Sequence, residues 1–188
     1  MLNKSLITEN FIGVYDSVIP ESLCKDLIHT FDTNKAEAVL NKGLPNFSQM
    51  VIKTTKELEK LVIKALSLYQ DTYPQHTKWF PSRLFPNLEC FRVKSYRANT
   101  DDRYDLHIDV EDEEMAVRYL SFLFYLNDGF EGGGTVFPEF DLEIKPKAGR
   151  VLMFPPMWTH PHYARRVTGD RDKYVMSTYL HHHHKAAS

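Results

Sequence analysis

Two stretches in the first half of the chain space their apolar residues as one-faced helices do. The first follows Pro20, which suits a first helical turn, and the second begins at Thr54, with Glu57 placed as in a capping box. The second must end before Pro74. The apolar positions are Leu23, Leu27, Ile28 and Phe31 in the first stretch and Leu58, Leu61, Val62, Ala65, Leu66 and Tyr69 in the second. Both helices are predicted to cover another layer of structure and to carry no chemistry.

After Pro86 the pattern changes to short segments rich in aromatic and β-branched residues, with turn signals between them. The segments cover residues 89–97, 104–110, 119–126, 135–143, 150–154 and 174–180, and a further short strand is predicted over 11–15. Several short strands without helical patterns between them predict an antiparallel sandwich or barrel. We therefore predict a mainly β fold with flanking helices (α+β). The chain is predicted to form one domain, with a helical support over residues 1–86, a β core over 87–180 and a tail over 181–188.

Composition narrows the class of protein without naming a function. The 188 residues suit one domain, and 23 basic against 25 acidic residues give a net charge of −2, which provides no attraction for nucleic acid or an anionic membrane. Cys24 and Cys90 are too few for a disulfide framework. The sequence shows neither a signal-peptide pattern nor an apolar run of membrane-spanning length. We expect a cytoplasmic protein that binds neither nucleic acid nor membrane, and we exclude the four His of residues 181–184 as site ligands.

The strongest chemical signal lies in residues 104–110, where polar and apolar residues alternate as in a strand. Because residues two apart point to the same face of a strand, Asp105, His107 and Asp109 are predicted to share one face and Tyr104 to lie on the other. An imidazole and a carboxylate side by side form two-thirds of the facial triad of non-haem Fe(II) oxygenases. The rest of the chain must then supply a third ligand.

Two later segments offer the missing parts, each with two candidates. His160 and His162 lie about fifty residues after the first pair, and either of them could complete the metal site. Arg171 and Lys173 open the last predicted strand on one face. A buried cation needs an anionic partner, which a dicarboxylate ligand would provide, although an ion pair at the strand end is an equal explanation.

Other residues around this strand follow in a fixed order. The series consists of Tyr96, residues 104–109, Arg118, residues 125–127, residues 133–138, residues 144–154, His162, Val167, Gly169 and residues 173–174. This series, which occupies residues 90 to 180, resembles the Fe(II)/2-oxoglutarate-dependent dioxygenases, and among them the prolyl 4-hydroxylase-like branch. The His-x-Asp pair alone is a weak signal, and the ordered series is a strong one.

The resemblance implies a double-stranded β-helix, or jelly roll, with flanking helices. It also implies Fe(II) held by His107, Asp109 and a distal His. In prolyl hydroxylases the distal His lies five residues before a Val, and His162 stands five residues before Val167. His162 is therefore preferred over His160, although the spacing to the following basic residue is one or two residues longer than the family pattern.

The resemblance further implies that 2-oxoglutarate chelates the metal and pairs its far carboxylate with a basic residue that opens the last strand. An aromatic residue follows that position in the family, as Tyr174 follows Lys173 here, so Lys173 is preferred over Arg171. Tyr96 matches a family Tyr near 2-oxoglutarate, and Thr135 matches a further cosubstrate contact more weakly.

The implied reaction is hydroxylation of a C–H bond with O2 and 2-oxoglutarate, on a prolyl or other amino-acid residue of a peptide or protein, with ascorbate as a further candidate cofactor. Two alternatives stay open: hydroxylation of a free small molecule, and a cupin-like metal-binding jelly roll without 2-oxoglutarate chemistry. The acidic residues 111–114 are a candidate rim that would favour a basic substrate. Asp105 matches no ligand position in the family and is a candidate contact to a ligand or substrate.

Overall fold

The computed structural model describes residues 4–34, 47–80 and 88–182. The helices are α1 (Glu21–Thr33), α2 (Lys56–Thr72) and α3 (Pro74–Thr77). The strands of the first half are β1 (Lys4–Ile7), β2 (Gly13–Tyr15) and β3 (Ser48–Ile52). The strands of the second half are β4 (Phe91–Tyr96), β5 (Tyr104–His107), β6 (Arg118–Tyr125), β7 (Glu131–Gly132), β8 (Thr135–Phe137), β9 (Leu142–Ile144), β10 (Val151–Phe154), β11 (His162–Ala164), β12 (Val167–Thr168) and β13 (Lys173–His181).

The strands form two larger antiparallel sheets and one small one. The major sheet has the order β1-β2-β10-β6-β13-β4-β3, and the minor sheet has the order β5-β11-β8-β9. Strands β7 and β12 form a separate pair. Consecutive strands such as β5 and β6 lie in different sheets, which is the alternation of a double-stranded β-helix. The predicted jelly roll with flanking helices is therefore confirmed.

The helices pack on the outer face of the major sheet. The N-cap of helix α2 lies one residue later than predicted, because the Thr55 side chain rather than that of Thr54 accepts the Leu58 N–H, at 3.3 Å. Its apolar stripe is buried as predicted, and the helix ends at Thr72, with Tyr73 as the C-cap residue before Pro74. Each fully buried aliphatic or aromatic side chain in this layer contributes roughly 1.5–3 kcal/mol to folding. The layer holds the major sheet in place behind the site.

The inner face of the major sheet carries polar as well as apolar residues, and strand register determines which ones. On β13, Lys173 lies opposite Tyr96 of β4, and Ser177 lies opposite Arg92. On the other side of β13, Tyr179 lies opposite Ser121 of β6. Since side chains alternate between faces, the inward residues of β13 are Lys173, Val175, Ser177 and Tyr179. The inner face therefore presents charged groups and hydroxyls to the interior of the jelly roll.

Several sequence predictions of secondary structure need correction, and three of them concern the larger sheets. Strand β11 was not predicted, because it is only three residues long and directly follows Pro161. Strand β3 takes the end of a segment predicted as a loop over 41–49, of which residues 41–46 lie outside the described residues. The predicted strand over 135–143 is divided into β8 and β9 by a short 3-10 helix at Pro138–Phe140. Within the described ranges, no helix has the length and apolar character needed to cross a bilayer.

Candidate metal and cosubstrate site

Three predicted ligands converge where β5 and β11 pair in the minor sheet. His107 ends β5 and His162 begins β11, and the two are direct partners in the antiparallel pair. Asp109 lies in the loop just after β5, and its Oδ1 is 3.6 Å from His107 Nε2 and 3.9 Å from His162 Nε2. One candidate ligand atom from each residue lies within 4.8 Å of the other two. This spacing allows the three side chains to bind a single metal ion.

Hydrogen bonds orient both imidazoles towards the centre of this cluster. His107 Nδ1 donates to the Asp105 carbonyl at 2.7 Å, and His162 Nδ1 donates to the His160 carbonyl at 3.1 Å. Because a carbonyl oxygen only accepts, Nδ1 carries the hydrogen in each ring and Nε2 keeps its lone pair. The Nε2 of His107 is buried without a hydrogen-bond partner among the described residues. Two such nitrogens beside a carboxylate are a donor set that suits Fe(II).

The Asp109 carboxylate is held from several sides. Its Oδ1 accepts from the Tyr179 hydroxyl at 2.9 Å, and its Oδ2 accepts from the Ser121 hydroxyl at 2.7 Å. Its backbone N–H donates to the Pro156 carbonyl at 3.1 Å, and its carbonyl accepts from Arg118 Nη1 at 2.8 Å. The ligand loop is thus tied to both β6 and β13 of the major sheet, which limits the positions that the carboxylate can take.

Electrostatics keeps the cluster in the ionisation state that metal binding requires. Burial lowers the pKa of His162 to about 4, so its imidazole is neutral at neutral pH. Burial alone would raise the pKa of Asp109, but the neighbouring imidazoles of His162 and His107 and the Ser121 hydroxyl hold it below its usual range. The cluster therefore combines one carboxylate with neutral imidazole.

The structure separates the two candidates for the distal ligand. His160 is buried, but its Nε2 donates to the Asn10 carbonyl at 2.7 Å and its Nδ1 is 2.8 Å from the Thr159 hydroxyl. Both ring nitrogens are therefore occupied away from the cluster. His162 lies inside the cluster, and the His160 carbonyl orients its ring.

The prediction that Tyr104 lies on the face of β5 opposite His107 was wrong. The Tyr104 ring stacks on His107, with ring centres 3.6 Å apart and planes 8° from parallel. A β-bulge explains the change of face: Tyr104 pairs with Ala164 while His107 pairs with His162, so three steps along β5 match two along β11. Regular alternation would place Tyr104 and His107 on opposite faces. The extra residue interrupts this alternation, so the two rings can stack.

The same irregularity corrects the prediction for Asp105. Its side chain does not share the face of the ligands; it is exposed and forms an ion pair with Arg103 at 2.6 Å. Its contribution to the cluster comes from the main chain, through the carbonyl that accepts from His107 Nδ1.

Lys173 lies deep inside the jelly roll, whereas Arg171 is exposed at the surface. Lys173 is only 2% exposed, and its Nζ donates to the Gly133 carbonyl at 2.6 Å. The Nζ also lies 4.9 Å from the ring centre of Tyr96 and 5.7 Å from that of Tyr125. Gly133 has a φ of +66°, and an added Cβ would lie 2.9 Å from the Phe130 ring, so this carbonyl position depends on glycine.

Within the described residues, no carboxylate lies within ion-pair distance of Lys173. Burial and, to a smaller extent, the nearby cation of Lys94 lower its pKa to about 7. Leaving a buried ammonium group without an anion is unfavourable. A bound dicarboxylate, one of the two explanations that residue spacing left open, would supply the missing charge.

Thr135 and Tyr125 complete the polar groups at this end of the interior. Both are buried, and their hydroxyl oxygens are 2.8 Å apart. Tyr125 was not among the predicted site residues, although it belongs to the ordered series that carried the family resemblance. Its place in that series could have identified it as a site residue. Only the register of β6 against β13 shows that Tyr125 faces the interior, as Lys173 does.

A cavity of about 230 Å³ opens beside the ligands. Its walls are Phe47, Gln49, Arg92, Lys94, Tyr104, Met115, Arg118, Ser177 and Tyr179. Tyr104 contacts His107 and Tyr179 contacts Asp109, so the cavity adjoins the metal cluster. None of the acidic residues 111–114 lines it, and all four are exposed. The expected acidic rim is therefore not part of this cavity.

Comparison with known families agrees with this geometry. Residues 91–181 match the 2OG-Fe(II) oxygenase superfamily. Prolyl 3-hydroxylase 2 of Rattus norvegicus is 43% identical over 56 residues, which are 27% of this chain and 8% of the rat protein. The human prolyl 3-hydroxylase 2 matches over the same length with the same identity. The chain thus spans only a small part of these curated relatives.

Several solved structures share the fold over most of the chain. The viral collagen prolyl hydroxylase of Paramecium bursaria Chlorella virus-1, in its 2-oxoglutarate complex, has a TM-score of 0.71 and 19% identity, covering 92% of this chain and 96% of the viral chain. A prolyl-4-hydroxylase of Pseudomonas putida has a TM-score of 0.67 and 19% identity, covering 94% and 95% of the two chains. A prolyl hydroxylase of Trichoplax adhaerens, solved with a hypoxia inducible factor peptide, has a TM-score of 0.62 and 17% identity, covering 92% and 84%.

Proposed function

Because residues 91–181 belong to the 2OG-Fe(II) oxygenase superfamily, we propose that the protein is an Fe(II)- and 2-oxoglutarate-dependent dioxygenase that hydroxylates a substrate C–H bond. The observation that carries the proposal is the pairing of a His-Asp-His cluster with a deeply buried lysine that has no carboxylate partner among the described residues. A metal-binding jelly roll of the cupin type has no need for the second feature.

In this proposal His107, Asp109 and His162 hold Fe(II). The orphaned Nε2 of His107 and the ionised Asp109 fit such an ion. When bound, the metal supplies the oxidising chemistry, using O2 and 2-oxoglutarate, that a protein side chain cannot supply. The chain's own part is to orient: the carbonyls behind both imidazoles fix the rings, and Tyr179 and Ser121 fix the carboxylate.

Lys173 is proposed to bind the far carboxylate of 2-oxoglutarate. A carboxylate beside Nζ would raise the lowered pKa of Lys173 and keep the ammonium charged. Tyr96, Tyr125 and Thr135 surround the same end of the interior and would shape the site and exclude water. Ascorbate, as a reductant that restores Fe(II), belongs to the proposal as an accessory cofactor.

The substrate is proposed to be a prolyl or other amino-acid residue in a peptide or protein. The prolyl hydroxylases among the structural neighbours support this class, and the Trichoplax adhaerens protein was solved with a peptide. Hydroxylation of a free small molecule is the alternative within the same reaction type. The single domain over residues 1–188 and the cytoplasmic location stay predictions.

The decisive experiment is anaerobic titration of the protein with Fe(II) and then 2-oxoglutarate. We expect a weak visible absorption band from the metal–cosubstrate complex, followed by succinate release when O2 is admitted. Iron binding without the band or succinate would overturn the proposal in favour of a cupin-like protein. Screening succinate release against prolyl peptides, other peptides and free amino acids then separates the substrate alternatives.

A further inference from the structure

A second buried lysine, Lys94, faces the interior from the middle of β4. It lies two residues before Tyr96 and is opposite Val175 of β13 and Gln49 of β3. Lys94 is only 8% exposed. Its Nζ lies 5.3 Å from the ring centre of Phe47 and 5.3 Å from that of Tyr104. The lysine therefore extends towards the ring that stacks on His107, and so towards the metal cluster.

Lys94 has no hydrogen bond or ion pair with the described residues, although it lines the cavity of about 230 Å³ beside the metal cluster. Ser177 lines the same cavity, and its hydroxyl is fully buried and also lacks a described partner. A buried cation and a buried hydroxyl that both lack partners are unfavourable unless a ligand satisfies them. Together they form a site with one positive charge and one hydrogen-bond donor directed into a shared space.

Each of the other two cations of the cavity already has a carboxylate partner, although the two share the same one. Arg118 makes two hydrogen bonds to the Glu89 carboxylate, at 2.7 and 2.8 Å, and Arg92 pairs with the same carboxylate. Those hydrogen bonds to Arg118, His181 and Arg92 outweigh burial and lower the pKa of Glu89 to about 2, so it stays ionised. Among the described residues, Lys94 is therefore the cation of the cavity that has no carboxylate within ion-pair distance.

This cavity is distinct from the proposed 2-oxoglutarate end of the interior. Neither Lys173 nor Gly133 nor Thr135 lines it. Its walls instead include Tyr104 and Tyr179, which contact two of the candidate metal ligands. It is also smaller than the roughly 300–1,000 Å³ of a drug-sized ligand site, so it suits a single side chain or chain end.

We propose that Lys94 binds a carboxylate of the substrate in this cavity, assisted by a hydrogen bond from Ser177, so that the enzyme selects acidic substrates. The inference rests on the proposed function, because it assigns this cavity to the substrate of that reaction. It also reverses the charge preference expected from the acidic residues 111–114. Those residues are exposed, and Asp112 accepts the Met115 N–H at 2.9 Å within a local turn.

Burial lowers the pKa of Lys94 to about 8, and Asp109 opposes that effect, so most of the lysine is charged at pH 7. A carboxylate in the cavity would favour the charged form further. The same ammonium would repel a lysine or arginine side chain of the substrate. Charge therefore provides selection for one class of substrate and against the opposite class.

The test uses protein loaded with Mn(II) and 2-oxoglutarate, in which the paramagnetic metal reports bound probes by faster proton relaxation. The probes are N-acetylglutamic acid α-amide, the matching glutamine diamide and N-acetylglycine. We expect the glutamic probe to bind about tenfold more tightly than the glutamine probe, which corresponds to about 1.4 kcal/mol. Lys94→Met should abolish this preference. Lys60→Met, which removes an exposed lysine of α2, should preserve it.

Thermal melting separates loss of the site from loss of the fold. Methionine has nearly the length of lysine without its charge, so Lys94→Met should melt no lower than the wild type. Equal binding of the glutamic and glutamine probes to the wild type, or a preference that survives Lys94→Met, would overturn the inference. A Lys94→Met variant that binds probes normally but loses 2-oxoglutarate would likewise overturn it, because Lys94 would then serve the cosubstrate.

The remaining outcomes identify which carboxylate of the substrate binds. They also show whether a negative result refutes the proposed function or only the role of Lys94. Tighter binding of N-acetylglycine than of the glutamic probe, lost in Lys94→Met, would support the inference and assign the carboxylate to a chain end. The Fe(II)–2-oxoglutarate absorption band is measured in parallel on the same protein. Its absence refutes the proposed function, whereas its presence without any acidic preference refutes only the role of Lys94.

Discussion

The two faces of the major sheet differ sharply in composition. The outer face packs aromatic and aliphatic side chains such as Phe122, Phe124 and Met176 against the helices, and all three are fully buried. The inner face buries Lys94 and Lys173 among its apolar residues, without carboxylate partners among the described residues. The outer face therefore stabilises the fold, whereas the buried lysines of the inner face lower the stability of the fold and are available to bind ligands. Substitutions on the two faces should accordingly change different properties of the protein.

The largest effect is expected from removing a candidate metal ligand in the interior of the jelly roll. His162→Ala should abolish the Fe(II)–2-oxoglutarate absorption band and reduce succinate release by roughly a thousandfold or more, because the metal would lose one of three ligands. His160→Ala should keep the band and lower the melting temperature, because it removes a buried hydrogen bond to the Asn10 carbonyl. The reverse pattern in the two variants would make His160 the ligand.

On the outer face, Phe122→Ala should lower the free energy of unfolding by about 3–5 kcal/mol, the usual loss for a fully buried aromatic ring. Urea denaturation measures this change. The folded fraction at low temperature should still show the absorption band, since the ring faces away from the site. Leu106→Ala, at a residue that is 61% exposed, serves as the control and should change stability by about 0.5 kcal/mol or less. A Phe122→Ala variant that keeps its stability but loses the absorption band would contradict the separate roles of the two faces.

Lys173→Met should act in opposite directions on binding and stability. The 2-oxoglutarate concentration for half-maximal succinate release should rise about a hundredfold, corresponding to about 2.7 kcal/mol, while Fe(II) affinity stays unchanged. The melting temperature without cosubstrate should rise, because an unpaired buried charge is removed. Arg171→Met, at an exposed position, should alter neither property. A fall in melting temperature on Lys173→Met would show that the charge is already compensated.

The smallest expected effect is a pH dependence of cosubstrate binding. Without ligand the pKa of Lys173 is lowered to about 7, mainly by burial, and a bound carboxylate would raise it. Below pH 7, Lys173 is protonated in both the free and the cosubstrate-bound protein, so the 2-oxoglutarate affinity is constant. Above pH 7, the free protein must take up a proton when it binds, so the affinity falls as pH rises. Titration calorimetry of the Mn(II) protein should show several-fold weaker binding at pH 8 than at pH 6.5, with proton uptake.

Lys173→Arg is the matched control for this pH dependence, because arginine stays charged throughout the range. Its 2-oxoglutarate affinity should be nearly constant between pH 6.5 and pH 8. If the wild type were equally constant and took up no proton, Lys173 would not be the group that binds the cosubstrate carboxylate.

Much of the fold could be predicted because its signals are local. The apolar stripe of α2 and the alternation along most of the β segments follow from residues a few positions apart, and the structure contains them with small shifts at their ends. The short strands β3 and β11 could not be predicted in this way. With three to five residues each, they depend on the neighbouring strands that pair with them.

The candidate site divides along the same line. His107 and Asp109 could be predicted from spacing alone, and His162 and Lys173 from a family resemblance. Lys94 stands two residues before Tyr96 in a predicted strand, so the sequence already placed both on one face. It did not show whether that face was the inner or the outer one, so a buried lysine could not be told from a solvated one.

By itself, then, the sequence determined the jelly-roll class, the helical cover and the donor types of the candidate metal site. The tertiary structure brought His162 rather than His160 into the candidate metal cluster, turned Tyr104 onto His107 and brought Lys94 beside the cluster. The physical reason is that ligand spacing and side-chain alternation are properties of one strand, whereas bulges, register and burial arise only when strands pair. The single extra residue in β5 opposite β11 is set by that pairing, and it reverses the face of a residue beside the site.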